Sequence, residues 1–424
     1  MKNEKKERDF KIIILLAIIA ICLLGYYEYY VLCVKLDAVR VKADNPSVSY
    51  NRNVDLEGDR VEKAEDKPDF KLTAKAALLL DGSSNHVLYE KNGKERLPMA
   101  STTKIMTCII ALEYGKLDDE VVFSKYAASQ PDVQLNATAG QKFTLYDLLH
   151  SLMLESHNDT AVAIAEHIGG SVEGFAKLMN KKAEELGLKD TNFVTPNGLD
   201  AKDHYTTAYE LALIASYAIK NERFLEIINS PNWTLKELTK NTTYSVVNKN
   251  RFLSLMDGAI GLKTGFTNNA GYCFVGGLKR DGKTLISVVL GAGWPPHKTY
   301  KWKDTQLLMN YGLDHFGYRN VSEGLQKIKD IPVLKGKDTK ISVAYNADEK
   351  QVLLRNSDAI SIVYDIPETL TAPINKGEQI GSITYYINGE KYEEIKVTSK
   401  TTVQKIDFAF CLDRIINLFV NCSV

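Results

Sequence analysis

The chain has 424 residues, 45% hydrophobic and 25% charged, an ordinary globular composition long enough for two domains. Its 53 basic and 53 acidic residues cancel, so the charge balance points to no nucleic acid and to no acidic tail. The six cysteines (22, 33, 108, 273, 411 and 422) form no Cys-x-x-Cys pair, which speaks against a zinc or thioredoxin motif, and the apolar runs around Cys108 and Cys273 predict buried free thiols.

The chain opens on the basic stretch "MKNEKKERDFK". "IIILLAIIAICLLGYY" follows, Ile12 to Tyr27, and no charge appears until Glu28. This is an export signal or a single membrane anchor. It is long for a signal and slightly short for a span, which needs ~20 residues. Val41-Lys42-Ala43 is a cleavage candidate far from the apolar core. Either reading puts the rest of the chain outside the cytoplasm, at the outer face of the membrane. Residues 1–34 are therefore a signal or anchor segment, and the charged stretch 35–70 is an exposed linker.

Residues 71–318 form the next unit. "AKAALLLDGSSNHVLYEKN" predicts a β-hairpin turning at Asp81–Asn85. Ile105, Met106, Cys108, Ile109 and Leu112 fall at helical spacing and stop at Gly115. "TLYDLLHSLML" opens with a Thr144/Asp147 cap, and "DTAVAIAEHIGG", "SVEGFAKLMNKKAEELG" and "TTAYELALIASYAIK" are three further helices, the last with Thr207 and Glu210 as a capping box. Near residue 260 the pattern returns to antiparallel strands, joined at "RDGK", and a last helix covers about 302–316. Strands at both ends with helices between predict an α+β domain: an antiparallel sheet carrying a helical lobe.

Residues 322–404 alternate short apolar stretches with turn residues, which predicts a small all-β sandwich. The tail, 405–424, places Ile406, Ala409, Phe410, Leu412, Ile415, Ile416 and Phe419 on one broad helical face. A helix there is too short and too charged to span a bilayer. It either lies in the membrane surface as an anchor or docks on the β domain.

Within the first domain, "MASTTKIMT" sets Ser101 and Lys104 three residues apart, on one helical face. A serine hydroxyl needs a base within hydrogen-bond reach to act as a nucleophile. A lysine serves only when burial or a nearby cation lowers its pKa. Alone, the pair is equally well a serine helix cap. Two further motifs change this. Ser156-His157-Asn158 lies 55 residues on, between two helices, and Lys263-Thr264-Gly265 lies 107 further, at a predicted strand. The ordered triple S-x-x-K, S-x-N, K-T-G is the signature of penicillin-binding proteins and class A β-lactamases. In that scheme Lys104 takes the Ser101 proton, Ser156 relays it and Lys263 keeps Lys104 neutral while attracting a substrate carboxylate. Asn158 holds a peptide amide, and the amides of Ser101 and Phe266 form an oxyanion hole. The strand after Thr264 and Gly265 lets an extended peptide pair along its edge. His157 is the variable middle residue of its motif, not the base.

With "LPMASTTKIMT", "TNFVTPNGLD" and "GLKTGFTNNAGYCFVGGLKRDGKTLISVVLGA", the chain resembles the low-molecular-mass penicillin-binding proteins, the serine-type D-alanyl-D-alanine carboxypeptidases. The likeness runs from about residue 73 to the C-terminus. It implies a transpeptidase-like domain, a β domain and an amphipathic anchor helix. It also implies removal of the terminal D-alanine from peptidoglycan pentapeptide stems, acylation by β-lactam antibiotics, and neither cofactor nor metal. One departure stands out. The family often carries a substrate-binding arginine near Lys301, where this chain reads "GWPPHKTYKWKDTQ"; Lys298, Lys301 or Lys303 is the candidate substitute. Two alternatives remain: a class A-like β-lactamase, which "LKDTNFVTPNGLD" disfavours by lacking a glutamate, and an inactive membrane-tethered wall-binding protein.

Overall fold

The computed structural model describes residues 2–43, 68–131, 133–346 and 348–421. It divides into two compact units, residues 62–319 with 351–356, and residues 1–61 with 320–350 and 357–424.

The larger unit is built on one antiparallel sheet. β1 (Ala76–Asp81) and β2 (Val87–Lys91) form the expected hairpin, with Asn85 in the left-handed region at its turn. After them come the 3-10 turn Ala100–Thr103, α2 (Lys104–Tyr114), β3 (Glu120–Val122), α3 (Lys125–Ala128) and β4 (Lys142–Thr144). The helical lobe continues with α4 (Leu145–Leu154), α5 (Asn158–Gly169), α6 (Val172–Glu185), α7 (Ala208–Ala218) and α8 (Glu222–Asn229). Thr144 accepts from the Asp147 amide and Thr207 from the Glu210 amide, so both expected caps form. A short hairpin, β5 (Asn232–Lys236) and β6 (Thr243–Val247), precedes the return to the sheet; α8 and this hairpin have no counterpart in the sequence reading.

β7 (Ala259–Thr267), β8 (Gly271–Arg280) and β9 (Lys283–Leu290) complete the sheet in the order β2-β1-β9-β8-β7. Asp281 and Gly282 both take positive φ at the β8–β9 turn, as a two-residue hairpin requires. Side chains alternate between two apolar layers. Leu78 and Leu80 of β1 join Ile286 and Val288 of β9 beneath the helical lobe. Leu79, Leu285 and Val289 face the other way, against Leu308 and Met309 of α9 (Tyr300–His315). Each such buried side chain contributes ~1.5–3 kcal/mol, and both faces of the sheet are covered. β10 (Gly317–Asn320) follows.

In the smaller unit, β11 (Ile331–Leu334) pairs with two short strands, Lys340–Ile341 and Leu370–Thr371. A second sheet joins Val343–Ala344, Ile360–Asp365, Gln379–Ile387 and Glu390–Ser399. The last two form a hairpin whose turn residues, Asn388 and Gly389, both have positive φ. Ile331, Ile362, Ile383, Tyr385 and Val397 fill the space between the sheets, as expected of a small sandwich. Gln351–Leu354 belongs to the larger unit. Two helices belong with the sandwich. The N-terminal α1 (Lys2–Ala43) is longer than its apolar core and takes in residues 35–43; the rest of the expected linker, up to residue 67, lies outside the described residues. The tail forms α10 (Phe408–Asn421).

Candidate active site

Three short backbone segments bring the motifs together, and each carries a non-glycine residue in the left-handed region. Ala100, immediately before Ser101, has φ +50°; Ser156 has φ +72°; Leu262, immediately before Lys263, has φ +126°. Such conformations cost ~1–3 kcal/mol each and persist only where the surroundings enforce them, typically at functional sites.

Ser101 lies in the 3-10 turn ahead of α2 and caps no amide of that helix. Its hydroxyl accepts from Lys104 Nζ at 3.0 Å and donates to the Asn197 carbonyl at 3.3 Å. Lys104 is fully buried. Its Nζ also donates to Asn158 Oδ1 at 2.8 Å and to the Asn197 carbonyl at 2.6 Å. Burial drives the Lys104 pKa well below its ordinary value, the charge of Lys263 pushes in the same direction, and Asp159 opposes them. The result is an amine held against a serine hydroxyl and biased toward its neutral, basic form.

Asn158 is the first residue of α5. Its amide nitrogen donates to the Pro131 carbonyl at 3.0 Å, which fixes the side-chain oxygen toward Lys104. Ser156 lies two residues earlier, and among the described residues its buried hydroxyl has no hydrogen-bond partner. His157 turns away from the serine–lysine pair: Nδ1 meets Ser151 Oγ at 2.8 Å and Nε2 lies 3.3 Å from Glu155. That agrees with its reading as the variable middle residue.

Lys263 and Thr264 lie on β7, which is the edge strand of the sheet. Gly265 crosses directly over the 3-10 turn: a Cβ there would stand 2.9 Å from the Ser101 amide nitrogen and 3.0 Å from Ala100 Cβ. Only a glycine lets the strand come so close. The next residue, Phe266, is 38% exposed, so the strand runs from the serine into solvent. Lys263 is buried, donates to the Thr264 carbonyl at 3.1 Å and has its pKa lowered to about 7, by burial and then by the charge of Lys301.

Of the three candidate lysines near the missing arginine, Lys298 and Lys303 are exposed. Lys301 is 8% exposed. Its Nζ donates to the Lys298 carbonyl at 3.2 Å and lies 4.6 Å from the centre of the Tyr272 ring. Burial lowers its pKa to about 8. Among the described residues neither Lys263 nor Lys301 is paired with a carboxylate. Two buried cations near each other are costly to charge, and an incoming anion offsets that cost.

Asn197, whose backbone carbonyl touches both Ser101 and Lys104, lies in none of the three motifs. A backbone acceptor leaves no residue-type signal; the only hint was the neighbouring Gly198, at φ +82°, where a Cβ would lie 2.0 Å from the Ala100 carbonyl oxygen. Cys108 and Cys273 are buried free thiols, as expected.

Comparison with known proteins agrees with this geometry. Residues 61–293 match the family model described as D-alanyl-D-alanine carboxypeptidase, and residues 316–405 match the one described as penicillin-binding protein 5, C-terminal domain. The chain is 33% identical over 348 residues to D-alanyl-D-alanine carboxypeptidase DacF of Bacillus subtilis, covering 80% of this chain and 88% of that protein. To DacC of Escherichia coli it is 32% identical over 349 residues, covering 76% and 82%. The structure of penicillin-binding protein 5 from Haemophilus influenzae superposes with a TM-score of 0.66 at 27% identity, covering 79% of this chain and 99% of that one. The Streptomyces K15 DD-transpeptidase superposes over 57% of this chain and 98% of its own, with a TM-score of 0.54 at 33% identity. The expected α+β fold with a following β domain is therefore the fold of this chain.

Proposed function

Because the chain belongs to the D-alanyl-D-alanine carboxypeptidase family, we propose that it removes the terminal D-alanine from peptides ending in D-Ala-D-Ala, with Ser101 as the acylated nucleophile. The observation that carries this reading is the Lys104–Ser101 hydrogen bond, made by a lysine whose burial disfavours its charge. Lys104 accepts the Ser101 proton as the hydroxyl oxygen attacks the penultimate D-alanine carbonyl. The developing oxyanion is met by the amides of Ser101 and Phe266; the strand crosses close to the first of these at Gly265. Collapse of the tetrahedral adduct breaks the peptide bond. The leaving amine takes its proton from Lys104, directly or through Ser156, whose hydroxyl is buried and has no hydrogen-bond partner among the described residues. Water then attacks the ester with Lys104 again as base, and Ser101 is released.

Substrate placement follows from the edge strand and the two lysines. An extended peptide pairs with the free edge of β7, and Asn158 holds its backbone amide. Thr264 and Lys263, with Lys301 in the place of the family arginine, receive the terminal carboxylate. The natural substrate in this reading is the peptidoglycan pentapeptide stem, and β-lactam antibiotics acylate Ser101 in its stead. The enzyme works on the outer face of the membrane, where α1, and α10 beside it, hold it. The loop that reaches Lys104 presents the Asn197 carbonyl and carries no glutamate to activate a deacylating water, so in this reading penicillin stays attached.

The test is release of D-alanine from diacetyl-Lys-D-Ala-D-Ala together with labelling by a fluorescent penicillin. Both should vanish in Ser101→Ala. Labelling that persists in that variant removes Ser101 from the mechanism, and rapid nitrocefin turnover would mark a β-lactamase instead.

A further inference from the structure

The two ends of the chain meet. In α1 every described residue from Lys6 to Glu28 is exposed except Gly25, which is buried. A Cβ at Gly25 would lie 3.6 Å from Ile415 Cδ1 and 3.6 Å from the Phe408 ring, so α10 rests on α1 where α1 has no side chain. Cys411 and Ile415, one turn apart on α10, are each 5% exposed. Tyr29, one turn beyond Gly25 on the same face of α1, is half-buried. Small residues at a helix crossing are the usual means by which membrane helices approach each other.

The crossing falls at a definite depth. Lys6–Tyr29 is long and apolar enough to span a bilayer. Lys2, Lys5, Lys6, Arg8 and Lys11 crowd its first end, which belongs on the cytoplasmic side. Tyr26 and Tyr27, 63% and 65% exposed, mark the far interface. Gly25 is thus at the outer interface, where an amphipathic helix sits. α10 fits there: Phe408 and Ile416 remain 46% exposed, while Asp413 and Arg414 are exposed on its polar side. Its near end is tied to the β domain, through Ile406 N–H to the Lys335 carbonyl at 2.9 Å and the Lys337–Asp407 ion pair at 2.9 Å.

We propose that α1 is retained in the mature protein and that α10 docks on it at Gly25, the two helices forming one anchor that seats the β domain at the outer membrane face. This rests on the outward orientation proposed above. Cleavage after Ala43 would strip Cys411 and Ile415 of their cover. Retention gives them a partner and leaves Phe408 and Ile416 for lipid.

The experiment uses the full chain in membranes. Gly25→Cys and Ile415→Cys are combined with alanine at the four cysteines 22, 33, 411 and 422, and a protease site is placed between residues 50 and 60. A short, reducible thiol-to-thiol crosslinker is added and the site is cut. The two fragments should run together without reductant and separate with it. Adding a bulky residue one turn away, Tyr29→Trp, should leave the crosslink, whereas Gly25→Cys alone should give none. Fragments that separate without reductant, a crosslinked dimer of two chains, or a mature N-terminus beyond Ala43 would each overturn the proposal. Fluorescent penicillin on the same gel reports the catalytic reading separately, because the anchor is no part of the Ser101 site.

Discussion

His204 Nε2 lies 2.9 Å from Thr103 Oγ1, and Thr103 in turn donates to the Ala100 carbonyl at 2.8 Å. The roles follow from the neighbours. Thr103 spends its proton on Ala100, so its oxygen accepts from Nε2–H. The other ring nitrogen, Nδ1, accepts from the Val194 amide at 3.0 Å. Burial lowers the His204 pKa to about 4, which keeps this neutral tautomer over the working pH range. His204 therefore fastens the loop that carries Asn197 to the turn that carries Ser101.

His204→Ala should misplace the Asn197 carbonyl against Ser101 and Lys104. We expect the penicillin acylation rate to fall by roughly 10²-fold, the scale of an ångström-sized misplacement, while the protein remains folded by circular dichroism. An acylation rate within twofold of the parent would show that the loop is held by its other contacts.

Lys104→Arg keeps a positive charge but supplies no base at accessible pH. Acylation should fall by ~10²–10⁴-fold, the usual contribution of a general base. Lys263→Ala should act differently. Lys104 must be neutral to accept the proton, and the charge of Lys263 helps keep its pKa low. Removing that charge raises the Lys104 pKa, so the acid limb of the pH–rate profile should move to higher pH in whatever activity remains. A limb that stays in place would deny the coupling.

Lys301 gives a second pH prediction. Its pKa is lowered to about 8 and that of Lys263 to about 7. Both must be protonated to attract a carboxylate, so KM should rise as pH climbs above that range. Lys301→Gln should raise KM throughout. Lys301→Arg, which stays charged, should carry binding to higher pH. Steady-state KM measured from pH 6 to 10 checks this, and a Gln variant with unchanged KM would move the carboxylate contact elsewhere.

Gly198→Ala tests the close approach directly. The position has φ +82°, and the added methyl would fall 2.0 Å from the Ala100 oxygen. The strain alone should cost ~1–3 kcal/mol, seen as a lower midpoint in urea unfolding. Because the clash pushes on the residue before Ser101, acylation should fall as well. A variant of parental stability would mean that the loop shifts freely.

Local signals made much of the chain legible in advance. The β1–β2 hairpin, the Thr144 and Thr207 caps, the Asp281-Gly282 turn and the all-β character of residues 322–404 follow from residue spacing and turn chemistry, which act over a few positions. The three motifs were legible for the same reason, because each is a short run of residue types that the chemistry demands. α8 and the β5–β6 hairpin were not, since "ERFLEIIN" is brief and the β5–β6 strands are half-exposed, so neither stands out against its surroundings. Long-range packing decided the rest. The depth at which Lys104 is buried, the burial of Lys301 where Lys298 and Lys303 stay exposed, the backbone carbonyl of Asn197 and the resting place of α10 on Gly25 all depend on segments far apart in the chain. A lysine reads the same in sequence whether exposed or buried, and a carbonyl is present at every residue. Only the fold gives either its neighbours, and the neighbours set the pKa and the hydrogen bond.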